Sequence, residues 1–250
     1  MEHHRLHVII FFIIGIVVGA GFYGVYLQVV EPALRPKLSL NQMYTDAIKD
    51  AMVPDLNKVY DGLTPITENN TNLIWQGTPG NESVLVVTWT KYPNSYPVGQ
   101  DMNTTWGYTW VTVAPQIQTF FKIQVSPDTN LTLRADELLG LPPNCTDTYF
   151  VELWVQPQSL FRPTPNNEIN DTVASFTFPS SATASYKQWF DNYLITAYYP
   201  MQYPWTRLGY TYDWGNTKTH VGLSEFVITQ NSTVIVKSVT STTEYLEGNS

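Results

Sequence analysis

The heptapeptide Tyr149-Phe-Val-Glu-Leu-Trp-Val155 is the stretch of sequence that best decides the fold. Its residues form two alternating sets, with Tyr149, Val151, Leu153 and Val155 in one and Phe150, Glu152 and Trp154 in the other. Side chains of a strand point alternately to opposite faces, so this period of two predicts a β-strand. We therefore expect a sheet in the folded part of the chain.

Four further segments rich in β-branched and aromatic residues predict additional strands. They are Val84–Thr90, Trp106–Val113, Ser224–Thr229 and Thr233–Val239. The last two flank the short polar sequence Gln230-Asn231-Ser232, which predicts that they form a β-hairpin. The pattern favours a largely antiparallel sheet.

Short helices are predicted before and between these strands. Ser39–Met52 places apolar residues at helical spacing, at Leu40, Met43, Tyr44, Ala47, Ile48, Ala51 and Met52. Its apolar face is expected to pack on the domain itself, because few basic residues accompany it for a membrane surface. Three more helices are expected at Pro115–Ile123, Leu133–Leu139 and Ser185–Leu194. The predicted fold class is α+β, a β-rich, largely antiparallel domain with short helices.

The segment from Val8 to Val30 contains no charged residue and predicts a single transmembrane helix. The alternative is a cleaved signal peptide, with Gly19 and Gly21 small enough for a processing site. The apolar run is longer than the core of a signal peptide, which favours an uncleaved signal anchor.

The segment divides the chain into five predicted parts. Residues 1–7 form a cytoplasmic tail, 8–30 the anchor and 31–60 a stalk with the amphipathic helix. Residues 61–245 form the extracytoplasmic domain and 246–250 a tail. The predicted location is the cell membrane, with the C-terminal domain outside the cytoplasm.

Composition excludes several classes of partner and site. The formal net charge of −8 disfavours nucleic acid, because it repels phosphate backbones. The single cysteine cannot form an intramolecular disulfide. No cysteine and histidine cluster, phosphate-binding loop or dinucleotide fingerprint occurs, so no metal site and no cofactor is expected.

Seven Asn-x-Ser/Thr sequons follow the apolar segment and predict a glycoprotein whose C-terminal side is exported. Their asparagines are Asn69, Asn81, Asn103, Asn130, Asn144, Asn170 and Asn231.

An aromatic stretch from Tyr186 to Trp214 supplies the main binding candidates. Exposed rings flanked by charged side chains are suited to stacking on sugars, so carbohydrate is the candidate ligand. The candidate residues are Trp205, Arg207, Tyr210, Tyr212, Asp213 and Trp214. The alternative is that these rings form part of an aromatic core.

Catalytic motifs of the common nucleophile and metal classes do not occur in the sequence. The secondary candidates for a site are Arg162, Glu168, His220 and Glu225. Asp213 and Glu225 are a candidate carboxylate pair for glycoside hydrolysis, which requires two facing carboxyl groups. No activity as an enzyme is predicted from these residues alone.

Two blocks, Leu131–Ile169 and Tyr203–Ile228, carry the strings LGLPP, LFRP and YPWTRLGYTYDWG. With these strings the chain resembles a family of uncharacterised microbial cell-envelope proteins, secreted or membrane-anchored. The resemblance covers most of the predicted domain. It implies export and a shared fold, and it implies no activity and no catalytic residue.

Three functional hypotheses follow from the sequence. The first is a membrane-anchored binding or structural module of the cell envelope. The second is an envelope hydrolase that uses a carboxylate pair. The third is an accessory subunit of a membrane complex, associating through Gly15-x-x-x-Gly19 and the Ser39–Met52 helix.

Overall fold

The computed structural model describes residues 38–248. The predicted cytoplasmic tail and membrane anchor, residues 1–7 and 8–30, lie outside the described residues. Between residues 38 and 248 the structure has no helix with the length and apolar character needed to cross a membrane.

One compact unit begins at Leu40 and contains all the elements described below. Its helices are α1 (Leu40–Met52), α2 (Gln116–Gln124), α3 (Leu131–Leu139), α4 (Ala184–Tyr198) and α5 (Thr242–Glu247). Its strands are β1 (Trp75–Thr78), β2 (Asn81–Thr90), β3 (Asp101–Asn103), β4 (Thr109–Val113), β5 (Tyr149–Val155), β6 (Leu160–Phe161), β7 (Tyr210–Tyr212), β8 (Val221–Ile228) and β9 (Thr233–Ser241). The α+β class with an antiparallel sheet is confirmed.

The sheet is antiparallel at every described strand pair. Its main order is β3-β9-β5-β2-β4-β8-β6, while β1 pairs with β2 and β7 pairs with β8. Strand β5 is the predicted Tyr149–Val155 heptapeptide and lies near the centre, between β2 and β9. This position explains why both faces of β5 carry apolar residues, since each face packs against other elements.

The predicted hairpin between β8 and β9 is wrong. Strand β8 pairs with β4, β6 and β7, whereas β9 pairs with β5 and β3. The connecting turn is held by Thr104, whose hydroxyl donates to the Thr229 carbonyl at 3.0 Å and accepts from the Ser232 N–H at 3.0 Å. The edges of both strands are therefore occupied by partners distant in sequence.

The two faces of the sheet carry different cores. One face buries valines of β2, β4, β5 and β9 together with Phe226 of β8. The opposite face carries α2, α3 and α5, whose Ile117, Leu138 and Tyr245 pack on Val87 and Phe150. The candidate site described below lies on this second, helix-covered face.

Helix α1 belongs to the folded unit rather than to a stalk. Its apolar stripe buries Tyr44, Ala47, Ile48 and Ala51 against Tyr212 and Trp214, as the helical spacing predicted. The folded unit therefore begins earlier than the predicted boundary at residue 61. The domain itself covers the apolar face of this helix. That face therefore cannot serve the partner-binding role that the sequence suggested.

Candidate functional site

A cavity of about 550 Å³ lies on the helix-covered face of the sheet. Strands β2 and β4 supply most of the sheet residues in its lining, β8 adds Glu225, and α4 and the segment after it line one side. The lining includes Thr112, Tyr193, Trp205 and Glu225. This volume falls within the range of small-molecule sites in proteins.

Aromatic rings form one wall of the cavity. The ring centroids of Trp110 and Tyr193 are 4.9 Å apart, and those of Tyr193 and Trp205 are 5.3 Å apart and nearly perpendicular. Elsewhere in the lining, Trp89 stacks on Phe150 with centroids 5.4 Å apart and the planes 10° from parallel. These contacts, together with the stacking of Trp189 on Tyr193 at 5.4 Å, fix the rings that line this side of the cavity.

The mouth of the cavity carries exposed aromatic side chains. Tyr92 is 62% exposed, Trp106 49%, Tyr108 41% and Tyr203 37%, and all four line the cavity. Exposed rings grouped around an apolar cavity are typical of binding sites, whereas isolated exposed rings are common on any surface.

Glu225 is the buried carboxyl of this cavity. It lies on β8 directly opposite Thr112 of β4 and is 6% exposed. Its Oε1 has no hydrogen-bond partner among the described residues. Burial raises the pKa of Glu225 well above its ordinary value, and Arg162 opposes this only in part. Burial in these surroundings therefore favours the neutral acid.

Arg162 cannot hydrogen-bond Glu225, because it lies behind the sheet. Its guanidinium sits 4.6 Å from the ring centroid of Phe226, the next residue of β8, which faces the opposite side. It donates to the carbonyls of Thr64 at 2.9 Å and Asp171 at 3.0 Å. Burial lowers its pKa to about 10. Arg162 thus stabilises the loops behind the sheet.

Gly209 makes room for this buried guanidinium. It has a φ of +79°, and a Cβ at this position would lie 2.8 Å from Arg162 Cδ. Any side chain here would combine an unfavourable backbone conformation with a clash.

The six predicted ligand-binding residues do not form one exposed surface. Trp205 and Tyr212 line the cavity, but both side chains are almost fully buried. Tyr210 and Trp214 are also buried; Tyr210 donates to the Lys58 carbonyl at 2.8 Å and Trp214 Nε1 to that of Leu141 at 3.0 Å. These residues fit the alternative interpretation of the sequence, in which the rings form part of an aromatic core.

Asp213 and Arg207 have structural partners. Asp213 is fully buried and receives two hydrogen bonds from Arg134, at 2.9 and 2.6 Å. Arg207 donates at 2.6 and 3.2 Å to the carbonyls of Ala51 and Met52 at the C-terminal end of α1. A cation at the C-terminal carbonyls of a helix stabilises the helix end. Asp213 does not line the cavity that contains Glu225.

The other secondary candidates lie apart from the cavity. The His220 ring stacks on Tyr212 with centroids 4.6 Å apart, and both border a second, smaller cleft near Asp50 and Lys58. Glu168 is exposed in a third, polar cleft. The structure therefore groups Glu225 with Trp205 and Tyr212, and separates it from Arg162, Glu168 and His220.

All seven sequon asparagines are exposed. Asn69, Asn81 and Asn170 border the third cleft, and none of the seven lines the cavity around Glu225. Within residues 38–248, no group of three or more His, Cys, Asp or Glu residues is arranged to hold a metal ion.

Sequence reasoning missed Trp89, Trp106, Trp110 and Tyr108 as members of the site. The aromatic content of Trp106–Val113 was visible, but it was interpreted only as a strand signal. Which of its side chains face a cavity depends on the pairing of β4 with β8, in which Thr112 and Glu225 are partners 113 positions apart in sequence. Comparison of the chain with family models, curated proteins and solved structures gives no match.

Proposed function

We propose that this chain is an envelope-exposed binding module that holds a small organic molecule in the aromatic cavity above β4 and β8. The observation that carries the proposal is Glu225, a buried carboxyl without a partner at Oε1 in a cavity otherwise lined mainly by apolar groups. Buried polar groups without partners are rare in proteins, and a ligand that bonds this carboxyl would account for it.

Two features support a binding role over a purely structural one. A core packed for stability has few voids larger than a water molecule, whereas this cavity measures about 550 Å³. Its mouth carries four exposed aromatic residues, which a structural core would bury. Together these features describe a preformed site that is open to solvent.

The membrane anchor and envelope location are part of this proposal. The uncharged segment from Val8 to Val30 would tether the module, and the sequons would lie on the exported side. The exposure of all seven sequon asparagines is compatible with glycans at the surface of the unit.

The hydrolase hypothesis receives less support from the geometry. Its proposed partner for Glu225 was Asp213, which is engaged in the ion pair with Arg134. An acid or nucleophile must reach the substrate, and Asp213 does not line the cavity.

A thermal-stability screen tests the proposed function. The full chain is heated with a panel of saccharides, amines, alcohols and neutral aromatic compounds, because ligands that bind only the folded state raise its Tm. We expect at least one class of compound to stabilise the protein at millimolar concentration.

The matched control is Thr112→Phe, which places a ring on the cavity floor beside Glu225. Every ligand of the cavity should lose its effect on this variant. If no class stabilises the wild-type chain, or if all hits act equally on Thr112→Phe, the proposed function is wrong.

A further inference from the structure

The charged groups of the cavity are of one sign. Asp147 and Glu225 line it, and every other lining residue in the part of the chain that the structure describes is neutral. No Lys, Arg or His of the described residues reaches the lining. The site thus presents carboxyl groups with no basic side chain of its own to neutralise them.

The position of Glu225 keeps it away from the positively charged side chains of the protein. Its nearest strong cation, Arg162, bonds backbone carbonyls on the opposite face of β8 and does not enter the cavity. An ionised carboxylate buried in apolar surroundings is costly unless a cation or several donors accompany it. A cationic ligand in the cavity would supply that cation.

The aromatic wall is suited to hold such a charge. The faces of aromatic rings carry negative potential and attract cations within about 6 Å of the ring centroid. The rings of Trp110, Tyr193 and Trp205 lie 4.9 to 6.1 Å from one another and enclose one side of the cavity. Among the described residues, none of the protein's own cation–π contacts uses these three rings, while Lys91 lies 5.3 Å from the ring centroid of Tyr92 at the mouth.

We propose that the ligand is a small organic cation, a protonated amine or quaternary ammonium, held over these rings and neutralised by the Glu225 carboxylate. This inference rests on the proposed function and adds the chemical class of the ligand to it. A neutral sugar would also stack on the rings, but it would leave the site without a positive charge for Glu225.

The test compares two molecules of nearly equal shape. Choline carries a quaternary nitrogen where 3,3-dimethyl-1-butanol has a neutral carbon, so the pair isolates the effect of charge. Affinities are measured by tryptophan fluorescence with the full chain in a polyoxyethylene detergent, which has neither sugar nor charge. Benzyltrimethylammonium serves as a larger probe for the same cavity.

We expect the wild-type chain to prefer choline by about tenfold or more, as a charge pair in a desolvated site would give. Glu225→Gln should abolish this preference while it leaves the affinity for the neutral alcohol within about twofold. The control Glu152→Gln should retain the preference, since Glu152 is a buried strand carboxyl that pairs with Lys237 outside the cavity.

The pH dependence gives a second readout, because choline itself does not titrate. Its affinity should rise from about pH 5 to about pH 8 as Glu225 loses its proton more readily, and Glu225→Gln should flatten this rise. The other titratable residues of the lining are Asp147 and six tyrosines, with Lys91 over the Tyr92 ring at the mouth and Arg162 behind the sheet. The tyrosines are Tyr92, Tyr96, Tyr108, Tyr193, Tyr203 and Tyr212. Burial raises the pKa of Tyr96, Tyr193 and Tyr212, so these three keep their protons in this range.

Each outcome bears on a different claim. Equal affinities for the two isosteres, a preference for choline that survives Glu225→Gln, or no binding of either ammonium probe overturns the cation inference. If saccharides or neutral compounds still bind and lose their effect on Thr112→Phe, the proposed function stands without it.

Discussion

Glu225 is the residue on which the account depends, and its burial also affects stability. The pKa of this carboxyl is raised in the folded state by burial, while the unfolded chain has the ordinary value near 4.5. Between these two pKa values the unfolded state releases the proton and the folded state retains it. The free energy of unfolding therefore falls as the pH rises through this window.

Glu225→Gln should remove this penalty. We expect the variant to gain stability over the wild-type chain as the pH rises above about 4.5, by up to about 1.4 kcal/mol per pH unit within the window. Urea unfolding at several pH values measures the difference. Glu152→Gln is the control and should destabilise the protein, because it weakens the 2.6 Å contact with Lys237. If Glu225→Gln is less stable than the wild-type chain at every pH, the conclusion that burial raises the pKa of Glu225 is wrong.

Asp213 is a buried carboxylate that, unlike Glu225, has a cationic partner. It is buried and paired with Arg134, so Asp213→Asn should destabilise the fold by up to about 3 kcal/mol, because the guanidinium then keeps only the longer contact with Glu137 at 3.5 Å. Because Asp213 does not line the cavity, ligand affinity of the folded variant should stay within about twofold. Denaturant unfolding and fluorescence titration measure the two effects. A large loss of affinity at unchanged stability would restore Asp213 as a site residue.

Single elements were well predicted where the pattern was local. Strand β5 and helices α1 and α2 follow from alternation, helical spacing and a proline at the helix start. The short strands β3, β6 and β7 were not predicted, since two or three residues carry no periodicity. The hairpin failed because the pattern of β8 and β9 gives no information on which distant strands occupy their edges.

Helix α1 allows a test at the scale of one element. Ile48→Ala should lower the free energy of unfolding by about 2–4 kcal/mol, because the side chain is 2% exposed in the cluster with Trp214. Met52→Ala on the same helix is the control, since Met52 is 40% exposed, and it should change stability by less than about 0.5 kcal/mol. Equal, small effects of both would show that α1 does not contribute to the domain core.

At the scale of the whole molecule, the cavity results from elements that are far apart in sequence. Glu225 on β8, Trp110 on β4 and Tyr193 on α4 come together only when the sheet order is known. The sequence therefore predicted Trp205, Tyr212 and Glu225 as single candidates but could not group them. It also could not show that Arg207 and Asp213 are engaged in structural contacts.

The void itself predicts an unusual response to a larger side chain. Thr112→Phe adds a ring to the cavity floor, where a packed core would lose about 1–3 kcal/mol from overpacking. Here we expect stability within about 1 kcal/mol of the wild-type chain, because the ring enters existing space. Thermal unfolding measures it. A loss larger than that of an ordinary overpacked core would mean that the cavity is smaller than about 550 Å³ in solution.

The most direct test of the central claim is to locate a ligand among the eight tryptophans of the chain. The protein is labelled with 5-fluorotryptophan, and ¹⁹F resonances assigned by single substitutions are followed while the tightest compound of the screen is added. We predict shifts at Trp89, Trp106, Trp110 and Trp205, which line the cavity, and none at Trp75, Trp154 and Trp214, which do not. Shifts confined to the second group, or saturable binding that moves none of the first, would contradict a binding site in this cavity.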